Sequence, residues 1–394
     1  MGNNHETLGN KGRKFGRASE DETCTLLARA MGLLLAAVPG VMLATSLTGW
    51  PAALAVTGVL VLLAVLCVVF VLGGGSASHD PLYYVFTVFS FTSVIDLIIS
   101  LEQDGYIQGY MEFYLTEGEP YLRTAYGIMI CYWDGVIHYL LYLAMVAAID
   151  QRKSYRSLGL YWLGSIMMSI IVFLPGNLIG KYSSEIRPAF LLNLPYLLLP
   201  IWAGQRLFQQ PKPLPCCTAD KVAEEQRKGL HQRPLDLGLI LLLLMAGAFT
   251  LFRGLVVLDC PSESCFNYMY QYEPYLRDPV AYPKVQMLVY TFYFLPYFGL
   301  CIYGLVWPGC TWMPDWALVF AGATAQAQFS HVGASLHQRT PYPYRTPEEA
   351  WWSVVLANSL YALGPHLLAY RCLRSPGFFQ PPVPGPLPTD KKRQ

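Results

Sequence analysis

The amino-acid sequence predicts an all-α, polytopic membrane protein of about ten transmembrane helices, with two tandem four-helix modules in parallel orientation after two extra N-terminal helices. Of its 394 residues, 54% are hydrophobic and 13% are charged, whereas soluble domains carry about 25% charged residues. Long apolar runs recur along the chain, and short motifs occur twice in one order. The net charge of +1 gives no reason to expect a nucleic-acid partner.

Ten apolar runs approach the length of about 20 residues that a helix needs to cross the hydrocarbon core. The first follows a basic leader, but it is too long for a signal peptide and lacks a small-residue cleavage site, so we expect it to stay as a span. The runs are residues 27–47, 52–72, 82–101, 125–149, 158–175, 188–207, 235–258, 285–306, 315–333 and 350–372.

The repeat is clearest in one five-residue motif. Glu119-Pro-Tyr-Leu-Arg123 recurs letter for letter at Glu273-Pro-Tyr-Leu-Arg277, 154 residues later. Because each copy contains four spans, both copies enter the membrane from the same side and form parallel repeats. Three more matches follow the same order: Phe91-Thr92 with Phe249-Thr250, Trp162 with Trp316, and Asn193-x-x-Tyr196-x-x-x-Pro200 with Asn358-x-x-Tyr361-x-x-x-Pro365.

This pattern divides the chain into six parts. Loops on the predicted cytosolic side hold 18 Lys and Arg residues against seven on the other side, so both termini are expected in the cytosol. The parts are a disordered cytosolic tail (1–25), two N-terminal transmembrane helices (26–78), the first module (79–207), a cytosolic linker (208–234), the second module (235–373) and a cytosolic Pro-rich tail (374–394).

Two short features concern targeting and redox state. Lys391 and Lys392 resemble the dilysine signal that coat proteins read to return membrane proteins to the endoplasmic reticulum, although a solvated basic end is the alternative. Cys260 and Cys265 share one predicted lumenal loop, where a disulfide and two free thiols are both open. No Cys or His spacing is typical of a zinc site, so neither a metal nor a cofactor is expected.

Ionisable residues inside predicted spans are the main candidates for a functional site, because a charge at the bilayer centre costs about 3 kcal/mol. Asp134 and His138 are four residues apart and share one helix face. Asp96, in the preceding span, can face Asp134 across a shared cavity. The sequence favours a ligand or proton site here over a plain interhelical polar link.

Other residues near these acids carry weaker signals. Asn193 and Tyr196 begin the sixth span, where lining the same cleft and a structural role are both open. Trp133 can help wall a flat apolar pocket for a sterol, and helix packing explains it equally well. Counting on 154 residues from Asp134 and His138 gives Leu288 and Phe292, so the second copy is expected to lack the acid and the histidine.

Acids in two adjacent spans, Gly176-Asn177 ending the third, and Asn193-x-x-Tyr196 in the fourth resemble the EXPERA module of the sterol 8,7-isomerase and the sigma-2 receptor. Two such modules behind two extra spans resemble the transmembrane 6 superfamily, and the resemblance covers roughly residues 80–373. It implies that Asp134 and Asp96 match the isomerase acids, while Asn193 and Tyr196 match its Asn and Trp. The isomerase histidine falls on Thr92, so a sterol-shaped cleft survives while turnover is in doubt.

The resemblance further implies a role in lipid export. It implies a resident of the endoplasmic reticulum membrane and the endoplasmic reticulum–Golgi intermediate compartment that supports lipidation and secretion of triglyceride-rich lipoproteins and limits lipid-droplet content. Implied partners are a membrane lipid or sterol and lipoprotein-assembly proteins, and a homo-oligomer stays open. Two alternatives compete with this non-enzymatic role: a sterol isomerase whose catalytic residues are Asp134, Asp96 and His138, and a lipid transporter or scramblase.

Overall fold

The computed structural model describes residues 51–72, 80–212 and 218–381, with side chains left undescribed at 51–53 and 71–72. These residues form helices joined by short turns, without a strand in any described range, as an all-α fold requires. The predicted first span, the predicted disordered tail and the retrieval residues Lys391 and Lys392 lie outside the described residues.

Nine long helices occur in the described residues, and each overlaps one of the predicted spans from 52–72 onward. The largest difference is in the predicted span 188–207, which begins as a 3₁₀ segment and becomes α-helical only at Leu194. On length and composition, five of them (α2, α3, α4, α6 and α7) are long and apolar enough to cross a membrane. The nine are α1 (Pro51–Leu72), α2 (Pro81–Gln103), α3 (Ala125–Asp150), α4 (Arg156–Ile179), α5 (Leu194–Gln209), α6 (Pro234–Val257), α7 (Tyr282–Val306), α8 (Met313–Leu336) and α9 (Trp351–Arg374).

Shorter helices occupy the connections between the nine long ones. Three are α-helical, at Glu112–Glu117, Ala219–Arg227 and Glu263–Gln271. Short 3₁₀ segments form at Pro120–Arg123, Ser183–Glu185, Pro188–Asn193, Leu230–Gln232, Pro274–Arg277, Tyr342–Tyr344 and Glu348–Ala350. One more, Pro376–Phe379, follows α9.

Local sequence explains where the first two helices of module one begin. Asp80 caps α2 by accepting a hydrogen bond from the Leu82 amide at 3.1 Å, and Pro81 occupies the first helical position, where its missing N–H is not needed. Thr124 caps α3 in the same way, accepting from the Gly127 amide at 3.0 Å. These caps place Asp96 in the body of α2 and Asp134 in the body of α3.

The second helix of each module contains a π-helical turn. It covers Asp134–His138 in α3 and Tyr290–Phe294 in α7, and a 12-residue α-helical segment follows each turn. The two turns are 156 residues apart rather than 154. The structural counterparts of Asp134 and His138 are therefore Tyr290 and Phe294, which corrects the expectation of Leu288 and Phe292. The conclusion that module two lacks the acid and the histidine is unchanged.

The two modules meet where α4 crosses α8. A Cβ atom on Gly164 would lie 1.7 Å from the Val319 carbonyl oxygen, and one on Gly322 would lie 1.9 Å from the Tyr161 carbonyl oxygen. Glycine is required at both positions because the backbones are nearly in contact, as in other close crossings of membrane helices. The two contacts are reciprocal, as expected for two modules related by a twofold axis.

Polar contacts between helix ends show which ends lie on the same face of the bundle. On the Asp80 face, predicted to be cytosolic, Arg156 pairs with Asp315 at 2.5 Å and links the first residues of α4 and α8. On the Glu119 face, predicted to be lumenal, Asp104 after α2 lies 3.0 Å from His337 after α8. The N-terminal ends of α4 and α8 therefore lie on the same face of the bundle, as parallel repeats require.

One of the predicted repeat matches is wrong. Trp162 is fully buried in the core of module one, whereas Trp316 is 39% exposed. Because α4 and α8 begin 157 residues apart at Arg156 and Met313, these tryptophans do not occupy equivalent positions. A chance identity of letters produced the match.

Candidate functional site

Module one contains a cavity of about 180 Å³. Helices α2, α3 and α4 contribute to its walls, together with the 3₁₀ segment Pro188–Asn193 and the start of α5. Helix α1 covers one side. Most of the lining is apolar, and its aliphatic and aromatic part includes Leu54, Val61, Ile95, Ile99, Ile166 and Phe173. Thus α1, which has no counterpart in module two, completes the enclosure.

Most of the residues predicted for ligand binding meet at this cavity. The five that line it are Thr92, Asp96, Asp134, Asn193 and Tyr196. They come from α2, from α3 and from the residues that lead into α5. Whether they bind a ligand stays a prediction.

The other two predicted residues lie behind the cavity wall. His138 is buried, with its Nδ1 2.5 Å from Asp134 Oδ1 and its Nε2 2.7 Å from Ser165 Oγ. The indole Nε1 of Trp133 donates to the same Ser165 oxygen at 2.8 Å. His138 and Trp133 therefore contact Asp134 or its neighbours rather than the cavity space.

Glu119 is a cavity residue that the sequence analysis missed. It begins the repeated five-residue motif, and its carboxylate accepts hydrogen bonds from the hydroxyls of Tyr114 and Tyr121 and from the Asn193 amide, each at 2.5 Å. A signal was available, because the repeat keeps both this glutamate and the matching tyrosine, Tyr268, at the same spacing.

The carboxyl groups give the cavity its chemical character. Asp96, Glu119 and Asp134 line it, and the described lining holds no Lys, Arg or His side chain. Burial raises the pKa of Glu119, because desolvation outweighs the three hydrogen bonds that stabilise its charged form. An apolar cavity with several acceptors and no cation suits a ligand that brings a hydrogen-bond donor.

In the matching region of module two, a buried arginine of the same module neutralises the glutamate. The counterpart of Ile95 is Arg253, whose Nη2 donates to Glu273 Oε1 at 2.8 Å and lies 2.8 Å from His331 Nε2. Its Nη1 donates to Asn358 Oδ1 at 3.2 Å. This buried guanidinium lowers the pKa of Glu273 to about 2 despite the burial of that carboxyl.

Module two also lacks room for an acid at the position of Asp96. The counterpart is Gly254, and a Cβ atom there would lie 2.2 Å from Thr291 Oγ1. Other parts of the site are kept, since Thr250 and Tyr361, the counterparts of Thr92 and Tyr196, bond through their hydroxyls at 2.8 Å. Both modules therefore share the threonine and tyrosine that frame the site, whereas only module one has all three acids.

A second cavity, of about 860 Å³, lies between the modules. Helices α4 and α5 form one side and α7 and α8 the other, and the lining is almost entirely apolar. It includes Met167, Ile171, Pro200, Phe208, Phe292 and Trp316. None of the predicted site residues lies in it.

On the Glu119 face, the structure joins Cys260 and Cys265 in a disulfide, with their Cα atoms 6.1 Å apart. The bridge connects the end of α6 to the short helix Glu263–Gln271. It belongs to the loop before Glu273 and lies outside the lining of either cavity.

Comparison with known proteins agrees with this architecture. The family model for the transmembrane 6 superfamily member 2-like transmembrane domain matches residues 37–218, and the EXPERA (expanded EBP superfamily) model matches residues 266–372. The EXPERA match thus falls on module two, whereas module one lies within the first match. No solved structure matches the chain.

Curated relatives cover most of the chain. Transmembrane 6 superfamily member 2 of Homo sapiens is 67% identical over 82% of this chain and 86% of its own length. The Rattus norvegicus and Mus musculus proteins of the same name are 59% and 57% identical, each over 94% of this chain and 99% of their own length. The chain is therefore a multi-pass membrane protein that belongs to the transmembrane 6 superfamily member 2 family.

Proposed function

We propose that this protein binds a sterol, or another neutral lipid with a hydroxyl group, in the cavity of module one. As a protein of the endoplasmic reticulum membrane and the endoplasmic reticulum–Golgi intermediate compartment, it would use this binding to support lipidation and secretion of triglyceride-rich lipoproteins and to limit lipid-droplet content. The observation that carries the binding proposal is a mostly apolar cavity whose described lining includes three carboxyl groups and no basic side chain.

The size and the chemistry of the cavity favour partial enclosure of such a lipid. An engineered cavity of roughly 150 Å³ holds one benzene molecule, so a cavity of about 180 Å³ holds the polar end and adjacent ring of a sterol rather than the whole molecule. The hydroxyl group would donate to Asp96 or Asp134, while the remainder would extend along α1. A hydrogen bond from this hydroxyl to a carboxyl oxygen contributes about 1 kcal/mol.

Binding without turnover is the version we favour. Thr92 stands where the related isomerase has a histidine, and a threonine hydroxyl does not gain or lose a net proton near neutral pH as an imidazole can. One observation supports the alternative of a sterol isomerase: Asp134 contacts His138 at 2.5 Å and lines the cavity. An acid backed by an imidazole is an arrangement that general acid–base catalysis uses.

Photolabelling tests the binding proposal. Protein purified into nanodiscs is irradiated with a photoreactive sterol that keeps its 3-hydroxyl, with and without an excess of unlabelled sterol. We expect competable labelling of residues in α1 to α4, reduced about tenfold in the double variant Asp96→Asn/Asp134→Asn, because amides replace both carboxyl groups that would accept the sterol hydroxyl. Glu117→Gln is the control, since Glu117 pairs with Arg187 outside the cavity. Equal labelling of the double variant and the control would refute the site.

Turnover is tested with the same preparation. A sterol with an 8,9 double bond is incubated with the folded protein and with Asp134→Asn. Absence of the 7,8 isomer agrees with a binding role. Conversion by the wild type that disappears in Asp134→Asn would replace the proposal with the isomerase, and lipid flux across protein-containing vesicles would replace it with a transporter or scramblase.

The cellular role needs its own measurement. Lipoprotein-secreting cells that lack the protein are supplied with the wild type, the double variant or Glu117→Gln at matched abundance. We expect the wild type and Glu117→Gln to restore secreted triglyceride and lower droplet content, and the double variant to do neither. Full rescue by the double variant would separate the export role from lipid binding.

A further inference from the structure

We propose that Ser165 is a positioning residue for Asp134, and that it acts by fixing which nitrogen of His138 carries the proton. Trp133, Ser165 and His138 form a line of polar contacts that ends at Asp134 on the cavity wall. The role of this line in ligand recognition rests on the binding function proposed above, whereas the protonation pattern does not.

The direction of the line follows from its donors. An indole N–H can only donate, so Ser165 Oγ is an acceptor toward Trp133. The Ser165 hydroxyl proton is then free for His138 Nε2, 2.7 Å away, and the described residues offer it no other recorded acceptor. Ser165 therefore donates to Nε2, and the proton of a neutral His138 ring resides on Nδ1.

The other side of the imidazole fits the same assignment. His138 Nδ1 lies 2.5 Å from Asp134 Oδ1, a buried oxygen that receives no hydrogen bond from the described residues. A proton on Nδ1 attracts this oxygen electrostatically, whereas a lone pair on Nδ1 would repel it. One oxygen of Asp134 is thus held beside the imidazole. Its second oxygen is the one left to meet a molecule in the cavity.

Module two supports the far end of the line. The ring of Phe329 on α8 lies 5.2 Å from that of Trp133, and a Cβ atom on Gly322 would lie 3.2 Å from the Ser165 backbone nitrogen. Ser165 and Trp133 are therefore held against the α4–α8 crossing, and both are buried. Helix α8 of module two therefore holds in place the residues of module one that orient the Asp134 carboxylate.

Nitrogen NMR of the full chain tests the inference directly. The protein, with its seven histidines labelled with ¹⁵N, is studied in nanodiscs, and His138 is assigned by its loss in His138→Gln. We expect the spectrum of a ring whose Nδ1 carries a proton and whose Nε2 accepts a hydrogen bond. In Ser165→Ala, and more weakly in Trp133→Phe, we expect this bias to be lost. The control is Ser90→Ala, which removes another buried hydroxyl of module one that bonds to a carbonyl of its own helix.

Binding of the photoreactive sterol gives a second readout. Loss of one hydrogen bond is expected to weaken binding by about 2- to 10-fold in Ser165→Ala, while Ser90→Ala binds as the wild type does. A wild-type His138 protonated on Nε2, or an unchanged His138 spectrum in a folded Ser165→Ala, would overturn the inference. The expected tautomer change in a protein that binds no sterol would support the positioning role and overturn the proposed function alone.

Discussion

The two modules keep the same glutamate and give it opposite surroundings. In module one, Glu119 accepts from two tyrosine hydroxyls and one amide, all neutral, and lines a cavity. In module two, Glu273 accepts from the guanidinium of Arg253, and His331 lies 3.5 Å away. One copy therefore leaves its carboxyl available to a ligand, and the other satisfies it with an internal cation.

This difference shows how two copies of one site can come to serve different purposes, one lining a cavity and the other forming an internal ion pair. A buried ion pair contributes little net stability, but removal of one partner is costly because the other charge stays buried. Module two thus depends on its pair of Arg253 and Glu273. The three cavity acids of module one have no Lys or Arg partner among the described residues, and Asp134 contacts a histidine instead. The four predictions below test this division, from the largest expected effect to the smallest.

The largest effect is expected in module two. Arg253→Met leaves Glu273 buried without its guanidinium, and we expect a loss of about 3–5 kcal/mol in stability. The thermal unfolding midpoint in detergent would report it. Arg374→Met is the control, because Arg374 is exposed at the end of α9. If the ion pair is the cause, the double variant Arg253→Met/Glu273→Gln regains most of the loss; a double variant as unstable as the single would contradict this.

The next effect concerns the close contact that replaces Asp96 in module two. In Gly254→Ala the new methyl group meets Thr291 Oγ1, and we expect destabilisation of about 1–3 kcal/mol from overpacking. Gly299→Ala is the matched control, since a Cβ atom there has nothing within 4 Å, and alanine in place of helical glycine stabilises by about 0.5–1 kcal/mol. Similar unfolding midpoints for both variants would show that α6 and α7 have space between them.

A third variant carries the feature of module two into module one. Ile95→Arg places a guanidinium at the position that Arg253 occupies in the second copy, next to Glu119. We expect the arginine to pair with Glu119, fill the cavity and lower sterol photolabelling about tenfold or more, which corresponds to about 1.4 kcal/mol. Ile95→Leu keeps the volume without the charge and should label normally. Undiminished labelling of a folded Ile95→Arg would separate the cavity from sterol binding.

The smallest effect is a difference in the sign of pH dependence. Burial raises the pKa of Glu119, so its contribution to stability is greatest below pH 4.5 and is lost as pH rises through the folded pKa. The pKa of Glu273 is lowered to about 2, so its contribution is present above pH 4.5 and is lost as pH falls toward 2.

Unfolding midpoints of Glu119→Gln and Glu273→Gln across pH 3–8 measure this difference. At neutral pH, we expect Glu119→Gln to match or exceed the wild type and Glu273→Gln to fall below it, by about 1 kcal/mol or more because a charged hydrogen bond is lost. Below pH 4.5 both differences should shrink. Two variants with the same pH profile would mean that the glutamates do not differ in charge state.

Much of the fold could be predicted because a helix that crosses a membrane needs a long run of mainly apolar residues, which is visible in the sequence. Apolar runs located the nine described helices, and parity of the span count gave the parallel orientation. The repeat was less reliable at single positions: Trp162 and Trp316 match in the sequence without matching in space, and two additional residues before α7 shift the counterpart of Asp134 to Tyr290. Spacing alone carries no information about such insertions.

The site was predicted in part for a similar reason. Charged residues inside spans are costly, so Asp96 and Asp134 were visible from the sequence. Glu119 lies in a loop, where a glutamate is ordinary, and only the folded chain shows that this loop turns back over the cavity. Ser165 is one of several serines in α4, and its importance depends on which nitrogen and indole stand beside it.

The paired π-helical turns bear on the history of the chain. A π-helical turn takes one more residue than the α-helical turn it replaces, and such turns persist mainly where they serve a site. Both modules carry one in the second helix, followed by a segment of 12 residues, although only module one has an acid there. A π-helical turn at the same place in both modules is the pattern expected if one module already contained the additional residue when it was duplicated.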